Sequence, residues 1–170
     1  MKFMLRLTAL SVLLLVLALP ILSSCKKETS YADDLSCAEI MDAVEDQIPV
    51  NFGYETYGGD HIRYYFEGTT LPDDHCLRYS VMNDDINEVG IFHSPDGESE
   101  AEVFRLTEAY LKSLREEKQA FIGSYAPEEL PKLNGAEVRR YGNYTVYAIL
   151  SEEDRQLVFE TVEKMLIREQ

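Results

Sequence analysis

The residue whose chemistry is most tightly set by its neighbours is Cys25, the last of Leu22-Ser23-Ser24-Cys25. An apolar run from Leu7 to Leu22 leads to it, preceded by Lys2 and Arg6 and broken by Pro20. A cationic start, an apolar stretch and small residues before a cleavage point are the parts of a secretory signal. Ser23 and Ser24 leave room for a peptidase at the scissile bond, and the Cys25 sulfur is the atom a diacylglyceryl transfer needs. Residues 1–24 are therefore predicted to be a lipoprotein signal peptide, with Cys25 the palmitate-type lipidation site. An uncleaved anchor is the competing reading, but Arg6 and Pro20 cut the clean span below the roughly 20 residues a bilayer-crossing helix requires. Each buried acyl methylene contributes about 0.8 kcal/mol, so two or more chains hold where one does not. Lys26 and Lys27 suit an anionic membrane surface. Residues 25–35 read as a polar tether and 36–170 as one domain, held at the outer face of the cytoplasmic membrane.

With Cys25 consumed, Cys37 and Cys76 remain as a pair in a compartment that permits disulfides. A bridge would add about 2–4 kcal/mol. Cys37 also shares a helical stripe with Ile40, Met41, Val44 and Ile48, which makes an ordinary core thiol the alternative. Asp73-Asp74-His75-Cys76, with His61, holds metal-ligand types without the spacing of a zinc scaffold, and turn chemistry accounts for it. Asn83, Asp85 and Asn87 imitate the start of a calcium loop, but Glu88 replaces the obligatory glycine and Ser94 the bidentate glutamate. No metal and no cofactor is expected.

No GxSxG elbow is present, and the three histidines define no triad. His93, at the end of a predicted strand, is the histidine to examine. Two carboxylates across a cleft could hydrolyse a glycan, but with 31 acids such a pair arises by chance. Tyr54, Tyr57, Tyr64 and Tyr65 stand with Phe52 and Phe66 among Gly53, Gly58 and Gly59. Tyrosines beside flexible glycines suit a ligand- or partner-contacting groove, and a satellite core under a sheet is the alternative.

The elements that must position these residues follow from periodicity. Ser36-Cys37-Ala38-Glu39 is a capping box opening a helix stopped by Pro49. Leu77, Tyr79 and Val81 alternate with polar neighbours, and Glu88–His93 returns as a second strand with Val89 and Ile91 on one face. Ser99-Glu100-Ala101-Glu102 is read as a second capping box, opening a long helix that Gly123 ends. Ser124–Gly135 is expected to be irregular. Ala136–Tyr141 and Tyr144–Leu150 form a hairpin about Gly142-Asn143. Ser151 caps a last helix with the stripe Leu157/Val158, Thr161/Val162, Met165/Leu166. The expected fold is α+β: a small antiparallel sheet of two hairpins with three main helices, in the order helix–hairpin–helix–hairpin–helix.

Without residues 1–24 the chain keeps 14 basic and 31 acidic residues, a balance of −17. Such a surface has no basic patch to displace counterions from phosphates, which argues against a nucleic-acid partner.

Glu88-Val89-Gly90-Ile91-Phe92-His93, Tyr125-x-Pro127-Glu128, Gly135-Ala136 and Tyr141-Gly142-Asn143-Tyr144 resemble an uncharacterised lipoprotein family of Clostridia and relatives, labelled domain of unknown function four-three-five-eight. The resemblance spans roughly residues 36–168. It implies a small membrane-anchored extracytoplasmic protein and transfers no catalytic residue. The expected role is a non-enzymatic binding or interaction module, with an envelope protein or glycan as partner class. The alternatives are an envelope hydrolase using paired carboxylates and an accessory subunit of a transport or secretion system.

Overall fold

The computed structural model describes residues 29–49, 72–80 and 85–168. Cys25, the aromatic segment with Tyr54, Tyr57, Tyr64 and Tyr65, and His61 lie outside them. Among the described residues no helix is long and apolar enough to cross a membrane.

The architecture is α+β. Four strands, β2 (Asp74–Tyr79), β3 (Glu88–His93), β4 (Glu137–Tyr141) and β5 (Tyr144–Ile149), form an antiparallel sheet in the order β2-β3-β5-β4. Residue alternation gives it two distinct faces. One carries Cys76, Val89, Ile91, Tyr144, Val146 and Ala148, covered by α1 (Cys37–Glu45) and α4 (Glu152–Leu166). The other carries Leu77, Phe92, Tyr147 and Ile149 and is covered by α2 (Gly97–Tyr125). Glu88 and Gly90 belong to this second face by the same alternation.

The ends of the elements obey local chemistry. Ser36 caps α1 as expected: its backbone N–H donates to Glu39 Oε2 at 2.9 Å, and the Glu39 N–H donates to Ser36 Oγ at 3.3 Å. At α2 the cap is not Ser99 but Asp96, whose Oδ1 accepts from the amides of Glu98 and Ser99 at 3.0 and 2.8 Å. A carboxylate outcompetes a hydroxyl at the positive end of the helix. Gly123 does not stop this helix either, since an isolated glycine costs only about 1 kcal/mol in a helix. The stop is Pro127, which has no N–H and pushes Ala126 out of helical conformation.

The link expected to be irregular is ordered: a 3₁₀ turn at Pro127–Glu129 continues into a short helix, α3 (Leu130–Gly135). Glu129 fixes it by accepting from the Ile86 N–H at 3.1 Å and from Lys132 at 2.8 Å. The β4–β5 hairpin turns at Gly142, whose φ of +62° a side chain would resist. Ser151 caps α4 through the Asp154 N–H. The buried stripe of α4 is Arg155, Val158, Phe159, Val162 and Leu166, so Phe159 takes the place expected for Leu157.

Two additions modify the expected order of three helices and two hairpins. One is α3. The other is a two-strand antiparallel ribbon of β1 (Ser30–Tyr31) and β6 (Ile167–Arg168). Residues read as tether are thereby part of the fold. Ala32 is buried, Asp34 pairs with Arg168 at 2.7 Å, and Asp33 receives hydrogen bonds from His93 and Asn143. Within the expected tether 25–35, the described residues 29–35 are thus not a free linker.

Candidate functional site

Cys37, Asp74 and His93 come together, a combination that invites comparison with a thiol hydrolase. Asp74 Oδ1 and Oδ2 accept from the Cys37 N–H at 3.1 and 3.2 Å, so this acid caps α1 from within β2. This role explains why β2 begins at Asp74, where a turn was expected. His93 Nε2 lies 2.8 Å from Asp33 and Nδ1 3.5 Å from Asp74, and its ring stacks on Tyr144 at 4.3 Å. Both ring nitrogens face carboxylates, and the Cys37 thiol donates to the Asp74 carbonyl at 3.5 Å. Burial pushes the Cys37 thiol far above its ordinary range, and the Asp74 charge pushes it the same way. A nucleophilic cysteine needs the opposite shift. The cluster is structural, and it docks the N-terminal segment onto the sheet. Burial likewise raises the phenols of Tyr141 and Tyr144 on this face to about 12.

The disulfide alternative is not the state found: Cys37 and Cys76 are both free, buried thiols. Cys76 Sγ accepts from Arg78 at 3.2 Å, so each sulfur has a partner of its own. Burial raises the Cys76 thiol as well. In the native protein at pH 8, both should resist iodoacetamide for hours, and both should be alkylated within minutes in denaturant without reductant. Mass spectrometry reads this directly, and two unlabelled cysteines after denaturation would establish the bridge instead. Among the described residues no group of His, Cys, Asp and Glu is arranged to hold a metal ion.

The second face of the sheet is more suggestive. Glu88 opens β3 and is only 8 % exposed. It accepts from the Tyr110 hydroxyl at 2.9 and 3.1 Å, and from the Tyr147 hydroxyl in a short hydrogen bond. Gly90 makes the arrangement sterically accessible. A Cβ there would sit 2.1 Å from Tyr147 Cε1, so only glycine lets the ring lie across β3 and reach Glu88. Phe92 stacks on the same ring at 6.2 Å and Tyr110 meets it edge-on at 5.9 Å.

Above this floor lies a half-open cleft of about 250 Å³. Its walls include Tyr79, Ile86, Leu114, Ile122 and Ile149, with Lys118 and Phe121 on the helix side. Phe121 is 60 % exposed and Tyr125 76 %, their rings 4.7 Å apart in a pair that continues along α2. Two large aromatic rings are thus exposed beside the cleft. Asn87 also lines the cleft. Its amide donates to Asp85 at 3.0 Å, while its buried Oδ1 has no donor.

A family model described as "Domain of unknown function (DUF4358)" matches residues 69–150. That stretch, just under half of the chain, is what is similar to the family. The match is narrower than the stretch 36–168 suggested by the motifs, and it runs from just before β2 to just after β5. Asn87, Glu88, Gly90, Tyr110 and Tyr147 all fall inside the DUF4358 stretch, whereas α1 and α4 fall outside it. No curated protein and no solved structure matches the chain.

Sequence patterning had pointed to His93 and the cysteines and passed over Glu88. The signal was nonetheless present. In Glu88-Val89-Gly90-Ile91-Phe92-His93 the acid shares a strand face with Phe92, an inward position where a charge needs a built partner. The partners, Tyr110 and Tyr147, are 22 and 59 residues away and carry no motif.

Proposed function

We propose that this chain is a lipid-anchored protein of the outer face of the cytoplasmic membrane. Its domain binds a ligand or an envelope partner in the Glu88 cleft and performs no covalent chemistry. The observation that carries the binding half is the cleft itself: an apolar, half-open cavity with one buried, hydrogen-bonded carboxylate at its floor and exposed aromatics beside it. Sites of this kind orient a ligand through a few polar groups on apolar walls. A hydrolase would require a second carboxylate facing the first. Among the described lining residues Glu88 is the single acid.

Leu22-Ser23-Ser24-Cys25 supports the anchoring half. Cys25→Ser should move the protein from the membrane to the soluble fraction and abolish the acyl mass increment. An unchanged membrane fraction would contradict the anchor. For the cleft, a photo-crosslinking residue at position 121 should capture a defined envelope component. That capture should disappear when Leu114→Trp fills the cavity, and capture that survives Leu114→Trp places the contact elsewhere.

A further inference from the structure

We draw no further inference here: the strongest candidate, the exposed Phe121–Tyr125 pair on α2 beside the half-open cleft at the Glu88 end of the sheet, adjoins the site already described, and nothing in the structure shows what covers it.

Discussion

Gly90→Ala should cost about 3 kcal/mol of folding stability, although it adds a single methyl group. Overpacking a core typically costs about 1–3 kcal/mol. The upper end applies here because the obstacle is the fully buried ring of Tyr147, with Cε1 2.1 Å and Cζ 2.7 Å from the new atom. That ring cannot retreat without leaving Phe92 and Tyr110 and losing its hydrogen bond to Glu88. A hydrogen bond to a charged group contributes about 1.5–3 kcal/mol. The loss should depend on the ring: in a Tyr147→Leu background, Gly90→Ala should cost less than about 1 kcal/mol. A coupling near 2 kcal/mol is within the range for residues in contact. Urea denaturation of the four proteins of this cycle measures it, and additive effects would show that Gly90 does not make room for Tyr147.

Phe159→Ala is the second large effect, at about 3–5 kcal/mol, the usual cost of removing a buried aromatic ring. Phe159 is fully buried between α4 and the sheet, and the Arg139 guanidinium lies 4.1 Å above its ring. Leu157→Ala should cost only about 1 kcal/mol, since Leu157 is half-buried at the edge of the same core and had only part of its surface removed from water. Thermal or urea unfolding of the two variants ranks them. A larger loss from Leu157 would mean that α4 is rotated about its axis relative to the packing described.

That pair also shows where periodicity stops being informative. Leu157, Val158 and Phe159 are consecutive apolar residues, and a stripe can be drawn through either neighbour of Val158. The choice is made by Arg155, which is buried one turn earlier on the Phe159 side, donates to the Leu150 carbonyl at 3.3 Å and lies 3.7 Å from Glu137. A buried arginine is invisible to a hydrophobic pattern. Three strands were legible because alternation is local: β3 was found residue for residue, and the Gly142 turn fixed the register of β4 and β5, whereas β2 begins three residues before Leu77 and the short β1 and β6 carry no alternation to read. The helix ends were less so, because Asp96 and Ser99 are both good caps and only the geometry decides between them. The site was the least legible, since Glu88, Tyr110 and Tyr147 meet only after the sheet and α2 have packed.

The register of the sheet gives the molecule a top and a bottom. Glu88 pairs with Tyr79 and Ile149 at one end of the strands, and all three border the cleft. His93 pairs with Asp74 and Tyr144 at the other end, where Asp33 secures the chain arriving from the N-terminus. The two ends are a strand apart, roughly 17 Å at about 3.4 Å per residue. With Cys25 as the lipid anchor, the leash to Ser30 is five residues and spans at most about 18 Å. A lipid on Cys25 would therefore join the fold at the end of the sheet opposite the cleft.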